Sequence, residues 1–175
     1  MSWIMTYTGE KFDVFSPKKE QIHLIDIAHS LANQCRFNGH CKQFYSIAEH
    51  SVYVSYFADA EGLMHDAAEA YIGDITRPIK QLFIRRKTFL LEQIERNILE
   101  KVFEKFRLQC PVSKDVWEYD TRLCLTEGNL LGFDTSEWEK SHVKPLCINF
   151  LPCYDPEKAK ELFLARAQNL GIGQD

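Results

Sequence analysis

No apolar run in the chain approaches the roughly 18 residues that a membrane-crossing helix requires. No basic block exceeds Arg85-Arg86-Lys87, and with a net charge of −4 nothing in the composition suits an extended contact with a nucleic-acid backbone. The six cysteines form no C-x-x-C pair, which excludes the usual redox and zinc-ribbon patterns. A zinc site built from Cys35, His40 and Cys41 would have a spacing outside the common finger patterns. The cysteines are read instead as reduced, mostly buried thiols. Repeats and low-complexity tracts are absent, and Met1 to Lys11 has no basic segment leading into an apolar one. These absences lead us to expect a soluble cytoplasmic protein with no membrane partner.

What is present is ordinary globular usage: 175 residues, 45% hydrophobic and 26% charged, which suffices for one core and is short for two. A single domain over 1–175 is expected, and it is mostly helical. Tyr7 to Pro17, with β-formers around Thr8-Gly9-Glu10, reads as a short hairpin or extended arm. Ile22 to Asn33 is amphipathic, and Asn33 to Cys41, containing Asn38-Gly39, is a loop. Helical spacing resumes over Phe44 to Phe57, a turn follows at Asp59-Ala60-Glu61-Gly62, and Leu63 to Tyr71 is helical until Gly73. Thr76-Arg77-Pro78 starts a short turn. Phe83 to Phe106 reads as the longest uninterrupted helix, a scaffold element. Ser113 suits the N-cap of a helix reaching Leu131, and Asp155-Pro156 opens a last helix that stops at Gly171.

The chemistry-bearing residues concentrate in two stretches. Ala48-Glu49-His50-Ser51 is followed, after a helix-sized interval, by Met64-His65-Asp66-Ala67-Ala68-Glu69-Ala70-Tyr71 and then Gly73-Asp74. Adjacent residues lie about 100° apart on a helix, and a His side chain is long enough to close that angle with a neighbouring carboxylate onto one cation. His50 and His65 sit at similar distances from the Asp59–Gly62 turn, so antiparallel packing of the two segments brings them level. A His and an Asp side by side among Ala and Met are costly to bury without a cation or other partners.

The runs Cys35-Arg36-Phe37-Asn38-Gly39-His40, Phe44-Tyr45-Ser46-Ile47-Ala48-Glu49-His50, Met64-His65-Asp66-Ala67-Ala68-Glu69-Ala70-Tyr71, Gly73-Asp74-Ile75 and Pro78-Ile79-Lys80 resemble the HD-domain phosphohydrolases. Within that superfamily they are similar to a phage and prophage branch near the bacterial 5′-deoxynucleotidases, and phage dATP triphosphohydrolases share the fold and the metal motif. The resemblance implies an all-α HD-domain helical bundle, here with a short N-terminal β-like arm. It implies a metal shell of His50, His65, Asp66 and Asp120, Asp115 and Asp134 being the competitors for the last place. Mn, Co, Fe and Zn suit such mixed donors about equally. With no histidine between His65 and His142, one ion is expected rather than two.

The same resemblance implies Glu69 as the residue that orients water or relays a proton, with Asp74 completing the site. It implies Arg36 as the phosphate-gripping cation with Lys80 as a second candidate, and Phe37 against sugar or base. His29 and His40 would be supporting or loop-fixing residues, and His23 and His142 surface ones. The implied reaction is hydrolysis of a nucleotide: first a 5′-deoxynucleotidase converting deoxynucleoside monophosphates to deoxynucleoside and phosphate, next a deoxynucleoside triphosphate triphosphohydrolase. A silent metal- or nucleotide-binding module is the reading of a different class. The partner is a small-molecule nucleotide in bacterial or phage-infected host cytoplasm, and a homodimer or higher homo-oligomer is expected.

Overall fold

A computed structural model describes residues 1–138 and 143–173. His142, expected at the surface, lies outside the described residues. The chain begins with a hairpin of β1 (Trp3–Met5) and β2 (Lys11–Asp13), antiparallel with Ile4 opposite Phe12. Its turn closes through Thr6 N–H donating to the Glu10 carbonyl at 2.9 Å. The first strand therefore lies before Tyr7, where the sequence reading began the arm. Two features fasten the hairpin to the body. Thr8 donates its backbone N–H and its hydroxyl to the Asp26 carboxylate at 2.7 and 2.8 Å, and buried Phe12 stacks on Tyr71 at 3.8 Å between centroids.

Seven helices follow: α1 (Leu24–Asn33), α2 (Ile47–Met64), α3 (Glu69–Ile72), α4 (Arg77–Arg85), α5 (Leu90–Lys105), α6 (Lys114–Leu130) and α7 (Pro156–Asn169). α2 packs against α6 and α7, and α1 against α7, α2 and α3. The main core is filled by fully buried Ile27, Leu31, Ile47, Leu63, Phe103 and Phe163. A smaller cluster of Val54, Val116, Leu123 and Leu146 lies where α2 meets α6. Burying one such side chain contributes about 1.5–3 kcal/mol, so these clusters hold the helices that carry the site.

The start of α2 is set by Ser46, whose hydroxyl accepts the Glu49 N–H at 3.0 Å, an N-cap worth ~1 kcal/mol. Just before it, residues 34–36 lie alongside 45–47, with Arg36 N–H donating to the Tyr45 carbonyl at 2.8 Å and Ile47 N–H to the Gln34 carbonyl at 3.1 Å. Arg36 is thereby held next to the first turn of α2. Farther on, α2 folds sharply at Ala58 and Asp59, where Asp59 takes φ +46. The expected reversal is tighter than a loop. Gly62 makes it sterically feasible, since a Cβ there would stand 3.0 Å from both the Val54 carbonyl oxygen and the Ala58 Cβ.

Several expectations need correction. Leu63 to Tyr71 is not one helix, because α2 ends at Met64 and the chain turns through residues 65–68 before α3, and Thr76-Arg77-Pro78 opens the nine-residue α4 rather than a short turn. Phe83 to Phe106 is not one helix: α4 ends at Arg85, and the chain turns through Lys87 at φ +56 before α5 starts at Leu90. The cysteines, all without disulfides, are half-buried or exposed rather than mostly buried. No described helix is long and apolar enough to cross a membrane.

Candidate metal centre

His50 comes from the first turn of α2, His65 from the residue that ends it, and Asp120 from the middle of α6. The fold in α2 and its packing on α6 bring them together, and one donor atom of each lies within 4.8 Å of the others. His50 Nε2 is 3.1 Å from Asp120 Oδ1 and 3.7 Å from Asp66 Oδ2, and His65 Nε2 is 3.2 Å from Asp66 Oδ1 and 3.8 Å from Asp120 Oδ1. Ligands about 2.0–2.2 Å from one ion stand about 3.0–3.6 Å from their neighbours, so His50, His65 and Asp120 come close to the spacing of a shared shell, while Asp66 stands at its edge and meets the two histidines through different oxygens.

The outer nitrogens of both rings are committed. His65 Nδ1 donates to the Gly62 carbonyl at 2.8 Å, an acceptor that leaves no choice of direction. His50 Nδ1 is 2.7 Å from Oε1 of Glu127, a fully buried carboxylate. In each case Nε2 is left to face the cluster. Both Nε2 atoms are buried, and neither has a hydrogen bond of acceptable geometry despite the acids nearby. Buried nitrogens that converge with carboxylates on a common point without well-formed hydrogen bonds fit a cation. The residues present therefore fit one divalent ion of the Mn, Co, Fe or Zn type. Cys35, His40 and Cys41 form no such group among the described residues. Asp115 and Asp134 are exposed, and Asp134 instead accepts the Ser136 N–H, so Asp120 is the acid that α6 delivers.

Electrostatics keep this centre charged. Burial works against the His65 imidazolium, but Asp66 and Asp120 outweigh it and raise its pKa to about 9. The same contest at His50, with burial and Arg36 opposing and Glu127 and Asp120 favouring, also ends upward. Without an ion the histidines thus hold protons, and an incoming cation must displace them. Glu127 was not singled out from the sequence. It accepts the Tyr45 hydroxyl at 2.7 Å, contacts His50, and pairs with Arg36 Nε at 3.1 Å. Burial would raise its pKa, yet Arg36 and then His50 hold it below the usual range. It stands seven residues after Asp120, two turns along the same face of α6, and that spacing was the available signal.

Glu69 begins α3 and is 7% exposed. Burial, then Asp66 and Asp74, push its carboxyl up to about 9 against the pull of Lys80 and Arg36. Lys80, on α4, places Nζ 3.6 Å from Glu69 and 2.9 Å from Glu95.

No known family's sequence profile matches the chain. It is 39% identical to the uncharacterized protein YfdR of Escherichia coli K12, over 97% of this chain and 96% of that one. The chain belongs to the YfdR family. It is also 27% identical to an uncharacterized protein of Rhodobacter capsulatus, RCAP_rcc00048, over 94% of this chain and 93% of the other. Both similarities run over nearly the whole of each chain.

In this member of the YfdR family, the other residues singled out from sequence fall into two groups. Arg36 joins the centre, with NH1 3.9 Å from Asp66 Oδ2 and its side chain 11% exposed. Burial opposes its charge, but Glu127, Asp120 and Asp66 hold the guanidinium cationic. Phe37 lies beside it, Arg36 being 5.5 Å from its ring, and packs with Phe133 at 5.0 Å and Trp138 at 6.0 Å. Gly128 lets that aromatic group approach α6, because a Cβ there would meet Trp138 at 2.6 Å. Asp74 follows Gly73 and is held through its backbone N–H, which donates to Gln34 Oε1 at 3.2 Å. Outside this group, His29 stacks on Tyr7 of the hairpin turn at 3.9 Å, His40 is exposed, and His23 precedes α1 half-buried.

Proposed function

We propose that the chain is an HD-domain metal-dependent phosphohydrolase acting on nucleotides, first of all a 5′-deoxynucleotidase. The observation that carries this reading is the convergence of His50, His65, Asp66 and Asp120, with two buried histidine Nε2 atoms that make no well-formed hydrogen bond, beside an arginine and a glutamate whose pKa is raised. In this reading those four residues hold one divalent transition-metal ion. When bound, it supplies polarisation of a phosphoryl oxygen and acidification of water.

The chain's own residues account for the rest. Glu127 and the Gly62 carbonyl fix the two imidazoles so that their Nε2 atoms stay aimed inward. Arg36, held by Glu127 on its Nε side and with NH1 3.9 Å from Asp66, can turn part of its guanidinium to one phosphate group. The sugar alkoxide released from a monophosphate is a poor leaving group unless protonated. In the metal-free chain burial and then Asp66 and Asp74 raise the pKa of Glu69 to about 9, which suits it to deliver a proton to the leaving oxygen. Asp74 helps to keep Glu69 protonated, Lys80 tethers it, and Phe37 offers a face to sugar or base.

The charge balance favours a monophosphate over a triphosphate. Arg36 and Lys80 are each already matched by carboxylates, which leaves little free positive charge for three phosphoryl groups. The test is a chromatographic panel of deoxy- and ribonucleoside mono- and triphosphates with Mn²⁺ or Co²⁺ added. Orthophosphate and deoxynucleoside from a monophosphate are the expected products. Tripolyphosphate would establish the triphosphohydrolase instead, and no turnover of any nucleotide would leave a binding module.

A further inference from the structure

A cavity of about 410 Å³ lies between the hairpin turn and α1, with Ala70 and Tyr71 forming part of its wall. Its lining contains none of the residues assigned above to metal or nucleotide, so it is a separate place on the molecule. The volume falls within the usual range for small-molecule sites. Most polar groups lining it are already engaged. Asp26 accepts two bonds from Thr8, Ser30 Oγ donates to the Ala70 carbonyl, and the Gln34 amide bonds Ser30, the Glu69 carbonyl and the Asp74 N–H. Two are not: the Tyr71 hydroxyl and His29 Nδ1 are buried and have no hydrogen-bond partner. Tyr71 is 6% exposed, and leaving such a group unpaired costs about 1–3 kcal/mol.

We propose that this cavity is a binding site for an uncharged, planar heterocycle with a mixed donor and acceptor edge, of the nucleobase class. Charge favours a neutral ligand, since the lining has no Lys or Arg and includes the Asp26 carboxylate, with Lys160 Nζ 5.9 Å from the Tyr7 ring centroid as the cation nearby. Shape and chemistry select the rest. Tyr7 and His29 stack on each other at 3.9 Å with their planes 19° from parallel, so a flat ligand could only extend that stack from an outer face. A phenol hydroxyl donates or accepts, and a neutral imidazole nitrogen does either according to its tautomer, so the pair matches an edge that offers both. The site is also coupled to the metal centre. Gln34 and Ser30, which line the cavity, hold the backbone of residues 69, 70 and 74, so occupancy bears on where Glu69 sits.

The inference does not depend on nucleotide hydrolysis, and its test uses chelator-treated full-length protein without turnover. Adenine, 2′-deoxyadenosine and inorganic phosphate are titrated by calorimetry and ligand-observed NMR, against wild type, Tyr71→Phe and His29→Phe. Both variants preserve a ring, so the stacking on Phe12 and Tyr7 survives. The expected result is saturable binding of adenine or deoxyadenosine that excess phosphate does not displace and that each variant weakens by about tenfold. Binding of the nucleoside alone places sugar contacts in the cavity, and equal binding of base and nucleoside places the base there. Either supports the proposal. No saturable binding of adenine and deoxyadenosine, displacement by phosphate, or affinity unchanged in both variants overturns it.

Discussion

The histidine–carboxylate centre and the α4–α5 corner are opposites within one small molecule. At the centre His50, His65, Glu69 and Glu127 are buried, and Glu127 alone meets Tyr45, His50 and Arg36. At the corner every residue from Gln81 to Leu90 is exposed, including Leu82, Phe83, Ile84, Phe89 and Leu90, and α4 buries no residue. Its polar tie to the centre is Lys80, bridging Glu69 and Glu95. The centre is over-determined by its neighbours, whereas the corner has few buried contacts to hold it.

The comparison would break first at Glu69. Glu69→Gln keeps the shape of the buried group and removes its proton chemistry, so kcat should fall by about 10²–10⁴ with metal content unchanged. Steady-state kinetics alongside elemental analysis checks both halves. Glu127→Gln comes next. It leaves Arg36 buried with one carboxylate fewer and removes the acceptor charge behind His50. Denaturant unfolding should show a loss of about 3–5 kcal/mol, and metal affinity should drop about 10–100-fold.

A smaller effect is the pH dependence of the metal-free protein. His65, raised from 6.5 to about 9, contributes stability that is full below pH 6.5 and is lost as pH climbs through 9. Glu69 and Glu49, raised by burial from 4.5 to about 9 and about 7, hold protons that the unfolded chain has already released, so their contribution also declines as pH rises. All three have the same sign. Melting temperature should fall steadily from pH 6 to pH 9 in chelator, and bound metal should reduce the loss. A rising curve would refute the assignment of protons to these groups. The smallest effect belongs to the corner, where Leu82→Ser and Phe83→Ser should each change unfolding free energy by no more than about 0.5 kcal/mol. If the homodimer proposed for this chain uses that apolar surface, light scattering of the same variants will show a lower mass.

His50 and the His65-Asp66 pair among small apolar residues were legible in the sequence as a candidate metal site, and Asp120 was picked out over Asp115 and Asp134 through the resemblance and the Arg122 and leucine pattern after it. Glu127 was not, since a lone glutamate inside a helix ordinarily reads as a surface acid, and only the arrival of Arg36, His50 and Tyr45 from other elements makes it a core residue. The α4–α5 break was hidden for a related reason. The apolar stripe continues across Arg86 to Phe89 without glycine or proline, and the left-handed turn at Lys87 has no sequence marker. The hairpin turn was found at Thr8-Gly9-Glu10, whereas its first strand, three residues long and mostly exposed, carries too little pattern to place.

Elemental analysis of protein purified without chelator tests the central claim most directly, run on wild type and on His65→Ala. One transition-metal ion per chain in the wild type and none retained by the variant is the predicted result. Two ions per chain, or undiminished metal in His65→Ala, would contradict a single centre built on His50, His65, Asp66 and Asp120.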